Sequence, residues 1–265
     1  MRQFVVLLAL ALASVASGNL IGKPGFPEGR IINGYEAQPG EAPYIVSLET
    51  SSHFCAGSLI RSDIILTAAH CLTYKEATAV VGLFSRSSKE NTQSRVYKQS
   101  QTIVHEKYGG GVGPYDIGLI KLDKPFDLNV VARDGSNPVG VISLPSLNYN
   151  AAGPGTLYGW GRDNSGYLPN TLNKLDLNII EYDQCKAELP ASAPVAESNV
   201  CSFTAKTADG ACNGDSGGPL VRNDGRGVEQ VGIVSWGYTP CATTQYPSVY
   251  TRISSYLEWI EENTK

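Results

Sequence analysis

The chain of 265 residues holds only three histidines, His53, His70 and His105. Chemistry that needs an imidazole is confined to those positions. Charged residues are few, at 17%, with a net charge of −4 and no long run of either sign. That balance excludes the basic stripes of a nucleic-acid binder. After the first 18 residues no apolar run is long enough to cross a bilayer, which argues against a membrane anchor. There is no Asn-x-Ser/Thr sequon, no internal repeat and little helix-period patterning. No two of the six cysteines are closely spaced, so a metal-ligand pattern is absent.

What is abundant is glycine (28) and proline (15). With short apolar runs between them, this composition points to an all-β chain with many turns. The runs are Tyr44–Leu48, Ser58–Ile60, Ile64–Thr67, Ala79–Val81, Ile117–Leu122, Gly155–Trp160, Leu175–Ile180, Pro219–Val221, Gln230–Ser235 and Ser248–Arg252. Strands of this length and spacing suggest sandwiches or barrels. Pro125–Ala152, rich in Pro, Gly and Asn, reads as the crossing between two halves. At the C-terminus a helix is predicted from Ser255 to about Asn263, with Ser255 and Glu258 as a capping box and Ile253, Leu257 and Ile260 as its apolar stripe.

Residues 1–18 read as a signal peptide: Arg2, an unbroken apolar run from Phe4 to Ala13, then Ala16, Ser17 and Gly18. Secretion follows from that reading. In an oxidising compartment six cysteines imply three disulfides, with fifteen pairings open to the sequence alone. Residues 19–30 carry Pro24, Gly25, Pro27 and Gly29 and end at Arg30, as a flexible link.

The segment with the most chemistry is Gly210-Ala211-Cys212-Asn213-Gly214-Asp215-Ser216-Gly217-Gly218-Pro219. Its glycines admit backbone conformations closed to other residues and let the main chain approach a ligand. The Gly214 and Ser216 N–H groups can then converge on one oxyanion. A serine hydroxyl needs a base to become a nucleophile. His70, in Thr67-Ala68-Ala69-His70-Cys71, is the candidate. Asp116, opening Asp116-Ile117-Gly118-Leu119-Ile120, is the candidate partner for the imidazole. Gly214-x-Ser216-x-Gly218 also fits the nucleophile elbow of α/β-hydrolases, but those place the histidine after the serine, and no histidine follows Ser216.

The order His70, Asp116, Ser216 is that of the chymotrypsin family, the worked template for the catalytic triad. With Arg30-Ile31-Ile32-Asn33-Gly34 and Ser235-Trp236-Gly237 in addition, the chain from Ile31 onward resembles the chymotrypsin-like secreted serine proteases, of the digestive type found in arthropods. Asn33 and Gly118 are small departures from the usual motifs, Ile-Val-Gly-Gly and Asp-Ile-Ala-Leu. The resemblance implies two six-stranded antiparallel β-barrels, about 31–143 and about 144–265, with the active site in the cleft between them and a C-terminal helix. It pairs Cys55 with Cys71, Cys185 with Cys201, and Cys212 with Cys241.

It also implies roles. His70, Asp116 and Ser216 would be catalytic, and Gly214 and Ser216 would form the oxyanion hole. Cleavage after Arg30, by a separate trypsin-like protease, would free the Ile31 ammonium to pair with Asp215. His53 stands where such zymogens can hold that aspartate beforehand. From 21 basic and 25 acidic residues, loss of Arg2, Lys23, Arg30 and Glu28 leaves 18 and 24, a net charge of −6. Gly210, six residues before Ser216, would floor the specificity pocket, lined further by Gly237 and Ser248, while the backbone of Ser235, Trp236 and Gly237 would pair with the substrate as an added strand. An uncharged floor favours large apolar or aromatic side chains. Asp209 beside the floor, and Ser248, leave elastase-, collagenase- or trypsin-like preferences open. The substrates would be proteins or peptides, the ligands of interest protein inhibitors, and the enzyme a monomer with no cofactor. The loop from Gly82 to Gln93 has one carboxylate, Glu90, so no calcium or other metal site is expected. A silent homologue acting as a binding protein is the alternative from another class.

Overall fold

The chain enters through a short strand, β1 (Tyr35–Glu36), and then builds seven strands in the N-terminal half. These are β2 (Ile45–Glu49), β3 (His53–Arg61), β4 (Ile64–Thr67), β5 (Glu76–Val81), β6 (Gln93–Lys98), β7 (Thr102–Val104) and β8 (Gly118–Lys121). The C-terminal half holds β9 (Gly153–Gly159), β10 (Asn173–Ile180), α1 (Tyr182–Glu188), β11 (Asn199–Ser202), β12 (Pro219–Asn223), β13 (Val228–Trp236), β14 (Ser248–Arg252) and α2 (Leu257–Thr264). This computed structural model describes residues 31–147, 149, 151–163, 165–203, 209–225, 227–241 and 246–265. The leader and the segment ending at Arg30 lie outside the described residues.

All the ladders are antiparallel. In the C-terminal half the order β10-β11-β14-β13-β12-β9 closes, because β9 also pairs β10 over Gly153–Gly159. That is a complete six-stranded barrel, and closure removes its exposed edges. The N-terminal sheet runs β6-β5-β2-β3-β4-β8-β7. Its two edge strands, β6 and β7, are separated in the chain only by the 3-10 turn Gln99–Gln101. The sheet therefore curls until one bent segment serves both edges. Leu48, Leu59, Ile65, Ala79 and Ile120 share one face of it and Leu66 and Leu119 the other, all fully buried.

Each half is tied to the other. The N-terminal strand β1 belongs to the C-terminal sheet, pairing Tyr35 with Lys174 and Glu36 with Asn173, and so takes no part in the curled N-terminal sheet. The C-terminal helix α2 packs the other way: Ile253, Tyr256 and Ile260 join the core around Leu59 and Ile120. A shared core of Tyr44, Ile45, Val80, Tyr158, Trp160 and Leu172 lies between. Pro125–Ala152 crosses between the halves with no strand among its described residues; Gly140 N–H donates to the Pro43 carbonyl and Ile142 N–H to the Leu59 carbonyl on one side, and Ser143 bridges to Glu229 on the other.

The predicted capping box at α2 does not form. Ser255 ends a 3-10 turn, Ile253–Ser255, and the helix begins at Leu257 after Tyr256, with no side-chain cap. Burying Ile253 and Tyr256 takes precedence over a cap that contributes only about 1 kcal/mol. The three disulfides pair as the family resemblance implied. No helix of the described residues is long and apolar enough to cross a membrane.

Candidate active site

His70 sits in a one-turn 3-10 helix, Ala69–Cys71, at the end of β4. Ala68 and Ala69 are buried, and Cys71 is bonded to Cys55, so the turn is fixed on both sides. The ligand atoms of Cys55, His70 and Cys71 lie within 4.8 Å of one another, yet both sulfurs are committed to the disulfide. The imidazole keeps 30% of its surface exposed. Gly118, on the adjacent strand, leaves the space that Leu72 fills; a Cβ there would come 2.5 Å from Leu72 Cδ1. The departure at Gly118 is thus matched by its neighbour.

Asp116 is buried, just ahead of β8. Its Oδ1 accepts the His70 backbone N–H at 3.0 Å and its Oδ2 meets His70 Nδ1 at 2.8 Å. The Ser235 hydroxyl donates to the same Oδ2 at 2.6 Å, and the Thr251 hydroxyl donates to the Asp116 carbonyl at 2.8 Å. Nothing in the sequence marked those hydroxyls. The sequence places Ser235 by its backbone beside substrate, and Thr251 only within a strand.

Ser216 is half-buried, in the turn before β12. Its carbonyl accepts from the Ala56 N–H at 2.8 Å, which docks this segment on β3 of the other half. Gly217 shows why the following residue carries no side chain. Its φ is 78°, and a Cβ would run into Thr67 Oγ1 and the Ala56 carbonyl, with the Ala68 nitrogen at 3.1 Å. The serine turn thus lies directly on the residues that lead into His70. Among the described residues the Ser216 hydroxyl makes no hydrogen bond, and neither the Gly214 nor the Ser216 N–H donates to the protein. Gly214 has φ 106°.

Asp215 points inward and is fully buried. Its Oδ1 accepts the Gly161 N–H at 2.8 Å and its Oδ2 the Cys212 N–H at 2.9 Å. Gly159 and Gly161 flank the carboxylate so closely that a Cβ on either would overlap it. No cation faces it among the described residues, and burial pushes its pKa up to about 6. Ile31 is buried in the C-terminal core with φ 45°, and its neighbour Ile32 bridges to Gly210. Asn33 has φ 63°, a left-handed conformation that asparagine tolerates. His53 does not hold Asp215. Its Nδ1 meets the Ser47 hydroxyl and its Nε2 the Gly214 carbonyl, each at 2.8 Å. Burial lowers its pKa to about 4, although the Gly214 contact acts against that shift.

Beside Ser216 opens a cavity of about 160 Å³, lined by Ala211, Asn213, Val234, Ser235, Trp236, Gly237, Tyr238 and Ser248 among others. No charged side chain is among the described lining residues. Gly210, expected as the floor, is not among the lining residues: it is buried behind Ser248 with φ 153°, and a Cβ there would come 2.6 Å from the Ser248 hydroxyl. Ser248 therefore occupies the room that a side chain at position 210 would need. At Gly237 a Cβ would meet nothing closer than 4.0 Å, so this wall is open.

A family profile described as Trypsin matches residues 31–260. The chain is 56% identical over 265 residues to the Lectizyme of Glossina austeni, covering 98% of this chain and 97% of that protein. It is 40% identical over 235 residues to Chymotrypsin-2 of Vespa crabro, covering 88% and 99%. With the Anionic trypsin of Canis lupus familiaris it shares 36% over 261 residues, 96% of each. The chain belongs to the trypsin family of serine endopeptidases.

Proposed function

We propose that this chain is a secreted zymogen whose cleaved form hydrolyses peptide bonds by acyl transfer, with Ser216 as nucleophile, His70 as base and Asp116 as orienting carboxylate. The observation that carries the reading is the 2.8 Å contact of His70 Nδ1 with a buried Asp116, beside a serine turn seated on the same strand ends. With Nδ1 engaged by Asp116, Nε2 is left to take the Ser216 proton as the hydroxyl attacks the substrate carbonyl. The Gly214 and Ser216 N–H groups, which donate to nothing among the described residues, are available for the oxyanion. His70 then returns the proton to the leaving amine, and water releases the acyl group.

Activation follows from Asp215. A buried carboxylate with two amide donors and no cation among the described residues favours a charged partner strongly. Cleavage after Arg30 by a trypsin-like protease would create that partner as the Ile31 ammonium. Family members are generally secreted, in keeping with the leader read from residues 1–18. The uncharged pocket, lined by Ser248 with Gly210 buried behind it and open at Gly237, favours large apolar or aromatic residues on the acyl side of the cut bond. Ser235, Trp236 and Gly237 would pair with the substrate backbone as an added strand.

The test is to treat Arg30-cleaved protein with an organophosphate probe and map the label. Modification of Ser216, absent in uncleaved chain, is the expected outcome. A folded, cleaved protein that takes no label would instead favour a silent homologue that binds partners. A peptide-library profile of the same material reads the pocket: dominant cleavage after Lys or Arg would overturn the apolar preference.

A further inference from the structure

Asp116 comes from the N-terminal half but is held by the C-terminal half. Besides the Ser235 and Thr251 hydroxyls, a third acts one residue earlier. The Tyr115 N–H donates to the Tyr256 hydroxyl at 3.1 Å. Tyr115 itself has φ 65°. That left-handed conformation is unfavourable for a bulky side chain and persists only where surrounding structure enforces it. The Ile117 N–H reaches back to the Tyr115 carbonyl at 2.8 Å, closing a tight turn with Asp116 at its centre. The orientation of the Asp116 carboxylate is therefore coupled to the backbone angle at Tyr115.

The enforcing structure is an aromatic cluster at the start of α2. Tyr256 is 4% exposed and set on the turn that precedes the helix. The His105 ring lies between Tyr115, 5.0 Å away, and Trp259, 5.1 Å away, with Tyr256 edge-on at 5.4 Å. His105 also donates its backbone N–H to the Ile117 carbonyl at 3.2 Å, and Trp259 Nε1 donates to Glu106 at 3.1 Å. The rings hold Tyr115 from its side chain while the Tyr256 hydroxyl holds its peptide.

We propose that Tyr256 is a positioning residue for catalysis: its hydroxyl fixes the left-handed Tyr115 peptide and so sets the Asp116 carboxylate against His70. This rests on the reading of His70, Asp116 and Ser216 as the reacting machinery. Without the hydroxyl, Tyr115 is free to relax towards negative φ, which swings the turn and carries the carboxylate off His70 Nδ1.

The experiment compares Arg30-cleaved wild type with Tyr256→Phe, Tyr115→Gly and the double variant. Phenylalanine keeps the ring packing and removes only the acceptor. Tyr256→Phe is expected to lower kcat on the order of tenfold with KM within about twofold, a relaxation comparable to one left-handed residue. It is also expected to broaden or shift the far-downfield proton resonance of His70 Nδ1–H. Glycine adopts φ 65° without strain, so Tyr115→Gly added to Tyr256→Phe is expected to restore both readouts. An unchanged kcat and resonance in Tyr256→Phe would overturn the proposal. So would a loss that follows the folded fraction and is not rescued in the double variant. The resonance needs no turnover: should wild type fail to label at Ser216, the enzymatic reading falls while the Nδ1–H signal still decides the role of Tyr256.

Discussion

Two carboxylates are buried at this site, and the fold treats them in opposite ways. Asp116 is surrounded by donors: the His70 N–H and ring, the Ser235 hydroxyl, and the Thr251 hydroxyl on its carbonyl. Asp215, 0% exposed, has two amides and walls of glycine. A buried ion needs both hydrogen bonds and an opposite charge to be stable. Asp116 thus has donors on both carboxylate oxygens and on its carbonyl, whereas Asp215 has two amides and faces no cation among the described residues, and burial moves its pKa up.

The largest effect expected on either side of this contrast is at Asp116. Asp116→Asn should fold normally and lose about 10⁴-fold in kcat, the magnitude known for the triad in general. Steady-state kinetics on cleaved enzyme checks it, and a loss below about tenfold would place the carboxylate outside catalysis.

Asp215 gives a pH signature of stability. Its folded pKa lies above the ordinary carboxylate value. In the uncleaved chain the unfolded state therefore loses its proton first as pH rises, and native stability falls between about pH 4 and pH 6. The shift to about 6 corresponds to about 3 kcal/mol. Urea titrations of uncleaved wild type and Asp215→Asn should diverge by that amount between pH 4 and pH 7, wild type being relatively weaker at pH 7. Cleavage at Arg30 should reverse the sign. His53 acts oppositely in the same window: its pKa is lowered to about 4, so its contribution is present above pH 6.5 and lost as pH falls through 4. His53→Gln should flatten that acid limb by a similar amount.

Two left-handed glycines carry a further contrast. Gly217→Ala forces a methyl into Thr67 and the Ala56 carbonyl at φ 78°, and is expected to cost about 3 kcal/mol or more, with labelling of Ser216 lost. Gly135→Ala, also left-handed at φ 83° but with open space around it, should cost about 1 kcal/mol and leave activity intact. Equal losses at the two positions would mean that the contact with the other half contributes little.

Much of the fold was legible because buried strands announce themselves. Ile64–Thr67 and Ser248–Arg252 carry unbroken or nearly unbroken burial and were read with correct ends. β6 was missed because Gln93–Lys98 is a largely solvent-facing, polar edge with only Tyr97 buried. β1 and β7 are too short for a period, and β11, though buried like β4, reads Asn-Val-Cys-Ser and offers no apolar run. α1 buries only Cys185 and has no side-chain cap, so neither stripe nor start signal betrays it. At the site, the reactive residue types and the glycines around Ser216 stood out. Ser235, Thr251 and Tyr256 did not, since a hydroxyl that serves a neighbour from a distant strand leaves no local pattern.

Sequence by itself determined the residue types, their order along the chain, the small residues flanking each, and the cysteines available for bracing. Those are local properties, readable because nucleophile, base and close-packed backbone each demand particular side chains. Only the tertiary structure decided that Asp116 is held by hydroxyls from the opposite half, that Asp215 is buried with no cation facing it among the described residues, and that Ser248 fills the room above Gly210. Such facts depend on contacts between segments more than a hundred residues apart in some cases, which come into being only when the curled sheet and the closed barrel pack together.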